Sequence, residues 1–127
     1  MGYPAIVSFE PGELAALERA SEVKLETQAP NGPIRRTTIW TVVDDDAVFI
    51  RSLRGETARW YREALANPAV ALVVDGRRVP ATAIPAGDPD SIDRASDGYR
   101  RKYAGDPAVK TMIRPEILPS TLRLEPA

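Results

Sequence analysis

Hydrophobic and polar residues alternate along several segments of the chain, among them 22–29, 47–53 and 120–126, and a period of two is typical of β-strands. In the first segment Val23, Leu25 and Thr27 point one way and their charged or polar neighbours point the other. One later segment is almost continuously apolar, which indicates a strand in the middle of a sheet. The pattern predicts strands over residues 22–29, 34–43, 47–53, 69–75, 77–86 and 120–126.

In other segments of the chain apolar residues recur every three or four positions, which is the period of an α-helix. Pro11 suits the first turn of a helix, and Thr57 is positioned to cap another. Gly105 marks the end of a third helix. These signals predict helices over 11–20, 57–66 and 91–105, with a further turn within 107–113.

Turn residues separate these elements. Asn31 precedes a glycine and is expected to adopt a positive φ, and a run of three aspartates at 44–46 forms another turn. Asn67, followed by proline, is a helix stop in which the asparagine can take the left-handed conformation. Pro80 cannot donate a ladder hydrogen bond, so its strand is expected at a sheet edge or bulge.

The resulting fold class is mainly β with added helices. Six strands joined by short turns predict an antiparallel barrel with the helices packed outside it. The 127 residues suit a single domain spanning 1–127. Hydrophobic residues make up 43% and charged residues 28% of the chain, which favours a globular protein over a disordered one.

Composition excludes several classes of function. The chain has no cysteine and no histidine, which excludes thiolate catalysis, cysteine-based zinc sites and a Ser-His-Asp triad. The net charge of −1 argues against a nucleic-acid or membrane-surface partner. No apolar run reaches the roughly 20 residues of a membrane span, and no signal peptide is visible, so a cytoplasmic protein is expected.

Three arginines surround a glycine turn where a predicted strand meets a predicted helix. Arg51, Arg54 and Arg59 flank Gly55 in this segment, and Thr57 would cap the helix. Guanidinium groups and a helix N-terminus both favour an anion such as phosphate. The alternative interpretation is a solvated, arginine-rich turn.

A second candidate lies on the strand 34–43, where adjacent arginines point to opposite faces. Thr37 and Thr38 could offer hydroxyl and backbone groups to a planar ligand. Trp40 could stack on that ligand or fill the core, and both interpretations remain open.

Residues 37–76 resemble the flavin-binding split-barrel superfamily, which includes pyridoxamine-phosphate-oxidase-like proteins and deazaflavin-dependent reductases. Members share a threonine-containing strand ending in an aromatic residue, an acidic turn, a strand ending in a hydroxyl residue, a basic turn before a helix, and an Asn-Pro pair. In this chain these elements are Arg36 to Trp40, Asp44 to Asp46, Ile50 to Ser52, Arg54 to Arg59, and Asn67 with Pro68.

The resemblance implies a six-stranded Greek-key split barrel that forms a homodimer, with a flavin in a groove between the subunits. It implies that Arg59, with Arg51 or Arg54, binds the cofactor phosphate, that Ser52 binds the ring or ribityl chain, and that Thr38 and Ile39 lie near the ring. The expected cofactor-binding residues are Arg36, Thr37, Thr38, Ile39, Arg51, Ser52, Arg54, Thr57, Arg59 and Trp60.

The same resemblance leaves two cofactors open. Many FMN-binding members have a lysine or second basic residue beside the position of Arg59, whereas this chain has Trp60 followed by Tyr61, as in the deazaflavin-dependent group. The expected function is an oxidoreductase that uses FMN or a deazaflavin (F420) on a small-molecule substrate. The alternative is a non-enzymatic split barrel, either a ligand-binding module or a structural dimer with a vestigial site.

Overall fold

A computed structural model describes residues 8–127, and it shows a curled antiparallel sheet with helices against it. All seven strands belong to this one sheet. Their bounds are β1 Val23–Gln28, β2 Ile34–Ile39, β3 Thr41–Asp44, β4 Ala47–Ile50, β5 Ala69–Val74, β6 Arg77–Pro85 and β7 Leu122–Pro126.

The described strands number seven rather than the predicted six because the segment 34–43 is broken at Trp40. The sheet has the order β2-β1-β5-β6-β7-β4-β3, so β2 and β3 form its two opposite edges. Only Trp40 separates these edges along the chain, and one residue spans less than about 4 Å. The sheet must therefore curl until its edges approach each other at Trp40. The prediction of a single strand over 34–43 was wrong, and the prediction of an antiparallel, mainly β fold is confirmed.

Four α-helices and two short 3-10 helices accompany the sheet within the described residues. The α-helices are α1 Pro11–Arg19, α2 Arg59–Ala66, α3 Pro89–Lys102 and α4 Val109–Met112, and the 3-10 helices are Gly55–Thr57 and Pro115–Ser120.

Two predicted helix signals were wrong. Thr57 lies in a 3-10 turn and donates to the carbonyl of Arg54, so α2 begins two residues later, after Ala58. Asn67 has a φ of −136° rather than a left-handed conformation. Its side chain instead donates to the Gln28 carbonyl and accepts from the backbone N–H of Ala69, so it joins the end of α2 to β1 and β5.

Two apolar clusters lie on opposite sides of β4. Val48 and Ile50 face the interior of the curled sheet, together with the inward residues of the other strands. Ala47 and Phe49 face a second layer formed with α3, α4 and the residues around them. This alternation, which the sequence predicted, directs the next residue of the second face, Arg51, toward α3 and α4.

One strand residue departs from expectation, and two turn residues agree with it. Pro80 lies in β6, which pairs with strands on both sides and has one-to-one pairing with β5 at Pro80, so the prediction of an edge strand or a bulge was wrong. Pairing between β6 and β7 begins at Ala81, so the missing N–H of Pro80 falls just outside that ladder. The turn predictions are confirmed at Asn31 and Asp45, whose φ values are 60° and 59°.

Within residues 8–127, each helix is too short or too polar to cross a bilayer.

Candidate functional site

The candidate site begins at the loop that joins β4 to α2. The backbone N–H of Ser52 donates to the Ser120 hydroxyl, and the Ser52 hydroxyl accepts from the N–H of Arg54. Gly55 has a φ of +66°, a conformation that favours glycine. A Cβ at this position would lie 3.4 Å from Ile117, so Gly55 packs closely against the second 3-10 helix.

Two concave regions adjoin at this loop, and they share Thr38, Leu53 and Trp60. The larger, which we call the arginine groove, has a volume of about 540 Å³. It is lined by Thr37, Thr38, Ser52, Leu53, Arg54, Thr57, Ala58, Arg59, Trp60 and Arg62. The smaller, which we call the tryptophan cavity, has a volume of about 260 Å³. It is lined by Glu22, Thr38, Ile39, Trp40, Arg51, Leu53, Trp60, Ala108 and Met112.

The arginine groove carries positive charge. Arg54, Arg59 and Arg62 line it, and no carboxylate of the described residues is among its lining groups. Arg59 Nη1 donates to Glu63 Oε1 at 2.7 Å, and its Nη2 lies 3.5 Å from the Thr37 hydroxyl. The groove therefore offers guanidinium donors to an anion, and one of them is already paired with a carboxylate behind it.

Glu63 is held by groups from two strands as well as by its own helix. The Thr27 hydroxyl donates to Oε1 at 2.8 Å, and Arg35 lies 3.7 Å from Oε2. Burial disfavours the ionised carboxylate, but hydrogen bonds from Thr27 and Arg59 outweigh it and lower the pKa of Glu63. Glu63 therefore stays charged and competes with any anion for Arg59.

Arg51 is not in the arginine groove. Its side chain is only 1% exposed and its guanidinium makes four hydrogen bonds. Nε donates to Thr121 Oγ1, Nη1 to Ser96 Oγ and the Met112 carbonyl, and Nη2 to the Ile92 carbonyl. Burial lowers the pKa of Arg51, and the positive charge of Arg100 adds to that effect. The predicted phosphate role stays untested, but these contacts tie Arg51 to α3, to α4 and to Thr121, the residue just before β7.

Arg36 lies apart from both concavities. It forms an ion pair at 2.9 Å with Glu26, which is 4% exposed, and Arg78 contacts the other oxygen of that carboxylate at 2.8 Å. Hydrogen bonds from Arg78 and Arg36 lower the pKa of Glu26 against the opposing effect of burial. Of the ten predicted site residues, nine line one or both concavities, and Arg36 does not.

Both tryptophans of the chain line the tryptophan cavity. Trp40 is partly buried and stacks on Tyr103, with ring centroids 3.8 Å apart and planes 3° from parallel. Trp60 is 7% exposed and lies at the start of α2. Trp40 therefore fits both interpretations: it packs on the second core layer, and it also borders a cavity in which a ligand could stack on it.

The sequence did not single out six of the lining residues: Glu22, Leu53, Ala58, Arg62, Ala108 and Met112. Arg62 follows Arg59 by three positions and so shares a helix face with it, a signal that was available in the sequence. Ala108 and Met112 are more than forty residues away from the other lining residues in the sequence. No local pattern could have placed them there.

Similar solved structures have the same fold. The chain has a TM-score of 0.63 and 21% identity to a protein described as an F420 reductase, covering 94% of this chain and 96% of that one. It has a TM-score of 0.62 and 15% identity to a putative pyridoxamine 5'-phosphate oxidase from Listeria innocua, covering 91% and 90%. It has a TM-score of 0.65 and 16% identity to the heme storage protein HutZ from Vibrio cholerae, covering 94% and 91%.

These similarities confirm the predicted fold, that of the split-barrel proteins. A family model described as "Uncharacterized protein conserved in bacteria (DUF2255)" matches residues 13–124. No curated protein matches the sequence. At these identities the structural neighbours establish the fold, and the chemistry has to be argued from the site itself.

Proposed function

The chain belongs to the DUF2255 family, and we propose that it binds FMN or a deazaflavin and acts as an oxidoreductase on a small-molecule substrate. In this proposal the cofactor phosphate lies in the arginine groove, and the ring lies where the groove meets the tryptophan cavity. The single observation that carries the proposal is the position of the three groove arginines beside an aromatic cavity, on a split-barrel fold.

The groove supports the phosphate assignment by its charge. Arg54, Arg59 and Arg62 supply guanidinium donors, which form strong, charge-assisted hydrogen bonds with phosphate oxygens. Neither Arg54 nor Arg62 has an ion pair to any residue of the described range 8–127. A doubly charged phosphate would therefore satisfy cations that the protein itself leaves exposed.

The junction of the two regions supports the ring assignment by its shape and polarity. Trp60 and Leu53 provide apolar surface, and Thr38 provides a hydroxyl and backbone groups on an edge strand. Ile39 continues the apolar surface into the cavity. Ligand sites commonly combine such apolar walls with a few polar groups that fix orientation.

The roles of cofactor and protein in this proposal agree with the composition of the chain, which has no histidine or cysteine. The cofactor supplies hydride or electron transfer, so the chain needs to supply binding, orientation and electrostatics rather than a histidine base. Arg54, Arg59 and Arg62 bind the phosphate, Thr38 orients the ring edge, and Trp60 excludes water from one side. Ser52 holds the loop, because its hydroxyl accepts from the N–H of Arg54.

We also propose that the protein acts as a homodimer in which a second copy completes the groove. The arginine groove is open to solvent, and Thr37 and Thr38 lie on β2, an edge strand of the sheet. An open groove beside an edge strand leaves one side of a bound ring uncovered, and a partner subunit would cover it.

Glu63 supports a second candidate function, in which the protein binds no cofactor. This carboxylate already pairs with Arg59 at 2.7 Å, which lowers the charge available to a ligand. The alternative is therefore a non-enzymatic split barrel whose cofactor site is vestigial. The lack of histidine in this chain argues against a heme storage function like the one named for HutZ, because histidine is a common ligand of heme iron.

Binding measurements distinguish these functions. The purified protein is titrated with FMN, riboflavin and F420, and the ligand's visible absorbance and fluorescence are followed. We expect micromolar or tighter binding of FMN or F420, and weaker binding of riboflavin, which lacks the phosphate. Arg62→Ala should weaken FMN binding, and Arg77→Ala, an exposed arginine outside both concavities, should not. Absence of binding by both phosphorylated cofactors would leave the non-enzymatic function.

A further inference from the structure

Arg51 places a buried positive charge against the tryptophan cavity without an anion to balance it. Its four hydrogen-bond acceptors are two hydroxyls and two carbonyls, all of them neutral. No described residue forms a salt bridge with it. A buried arginine is usually paired with a carboxylate, because the burial of an isolated charge is costly.

The guanidinium also keeps donor capacity. It carries five N–H groups, and the four hydrogen bonds leave one N–H on Nη2 without an acceptor among residues 8–127. Arg51 lines the cavity although its side chain is only 1% exposed. Water screens a buried charge only weakly, so an anion in the cavity would interact strongly with the guanidinium of Arg51.

The aromatic walls are fixed before any ligand arrives. Trp40 is held parallel to Tyr103, whose hydroxyl donates to the Ser21 carbonyl at 2.8 Å. The Tyr99 hydroxyl lies 3.4 Å from the Trp40 carbonyl, and Arg51 stands 5.5 Å from the centre of the Tyr99 ring. A preformed wall loses little conformational entropy on binding, which favours a flat ligand.

The size and charge of the cavity restrict the kinds of ligand that can bind there. Its volume of about 260 Å³ is near the lower limit of ligand pockets, which suits one aromatic ring and not a fused three-ring system. Glu22 lies at the exposed rim and repels an anion there, so the negative group of the ligand belongs at the Arg51 end.

We propose that the tryptophan cavity is a binding site for a planar, single-ring carboxylate, with the carboxylate at Arg51 and the ring between Trp40 and Trp60. The binding site stands on the cavity itself. Its assignment as the substrate subsite, beside a cofactor in the arginine groove, rests on the proposed function. The substrate class is then a small aromatic or conjugated acid.

The two tryptophans make the test direct, because they are the only ones in the chain and both line the cavity. The full-length protein, without cofactor, is titrated with benzoate and with its neutral isostere benzamide while tryptophan fluorescence is recorded. We expect benzoate to quench the fluorescence and to bind at least about tenfold more tightly than benzamide, as for a hydrogen bond to a charged group. Equal affinity, tighter binding of benzamide or no response to either compound would overturn the proposal.

Variants locate the site without disturbing Arg51, whose replacement would also loosen the fold. Ala108→Leu fills the cavity from the α4 side and should reduce benzoate affinity at least tenfold. Glu22→Gln removes the rim charge and should tighten benzoate binding severalfold without affecting benzamide. Unchanged benzoate affinity in Ala108→Leu would place the binding elsewhere and overturn the assignment.

The outcomes separate this proposal from the cofactor proposal. Benzoate binding without any FMN or F420 binding would keep the cavity site and remove the oxidoreductase function. Binding of FMN or F420 without selectivity for benzoate over benzamide would keep the cofactor proposal and remove the cavity site.

Discussion

Glu63 gives the sharpest test of the arginine groove, because it should oppose cofactor binding while it stabilises the fold. Its Oε1 accepts from Arg59 Nη1 at 2.7 Å and from the Thr27 hydroxyl at 2.8 Å. Glu63→Gln keeps the size of the side chain and removes the charge. Arg59 would then be free to direct its full charge toward a phosphate.

The size of the effect follows from Coulomb's law. Two unit charges about 6 Å apart repel by roughly 0.7 kcal/mol in water and by roughly 3 kcal/mol at an effective dielectric constant of about 20. The groove is open to solvent, so the lower value applies best, and salt reduces it further. We therefore expect Glu63→Gln to tighten FMN binding by about 0.5–1 kcal/mol, a factor of about 2–5. Arg59→Ala should weaken binding by about 1.5–3 kcal/mol.

The assay compares FMN with riboflavin for the wild type and both variants at low ionic strength. The changes should be confined to FMN, because riboflavin has no phosphate to meet Arg59. Thermal unfolding should show that Glu63→Gln is slightly less stable, by up to about 1 kcal/mol, as expected for a lost ion pair and hydrogen bond. Equal effects on riboflavin and FMN, or weaker FMN binding in Glu63→Gln, would refute the placement of the phosphate beside Arg59.

Three further predictions concern the rest of the molecule. Thr121→Val should lower the free energy of unfolding by about 1–3 kcal/mol in denaturant titrations, because it leaves Nε of buried Arg51 without an acceptor, and a cost near zero would contradict that account. Burial lowers the pKa of Lys102 from 10.5 to about 8, so the unfolded chain binds more protons than the folded chain between these values. The free energy of unfolding of the wild type, measured relative to Lys102→Met, should therefore rise as the pH increases from 8 to 10, and no change would refute this account. Sedimentation should show a dimer at micromolar concentration, and a monomer at high concentration would remove the shared groove.

The local part of the fold could be predicted from the sequence, because it depends on near neighbours. Alternation in 22–29 and 47–53 identified β1 and β4, and in β4 the structure places Val48 and Phe49 in different apolar clusters. The bend at Trp40 could not be predicted in this way. Residues 34–43 have strand-forming side chains throughout, and only the closing of the sheet, a long-range effect, breaks them into two strands.

The candidate site was predictable to the extent that it lies on one stretch of chain. Arg54, Arg59 and Trp60 lie on the loop and helix that the sequence selected, and they line the groove as a group. Arg51 shows the limit of such reasoning. Its proximity to the other arginines suggested a shared phosphate, but the strand alternation sends its side chain to the opposite face, toward partners forty to seventy residues away.

Arg36 and Glu26 illustrate a second limit. Glu26 was assigned to the polar side of β1, and the structure places it there, but two arginines cover it until only 4% is exposed. Arg36 was expected in the cofactor site on the strength of its motif. The cross-strand partner of Arg36 is Glu26, and this pairing is a property of the sheet register that no single strand reveals.

The most direct measurement of the central claim is a crystal structure of the protein with FMN or F420 bound. We predict that the cofactor phosphate lies within hydrogen-bonding distance of Arg59 and of Arg54 or Arg62, with the ring at Thr38 and Trp60. A phosphate bound outside the arginine groove, or crystals that exclude both cofactors at saturating concentration, would contradict the account.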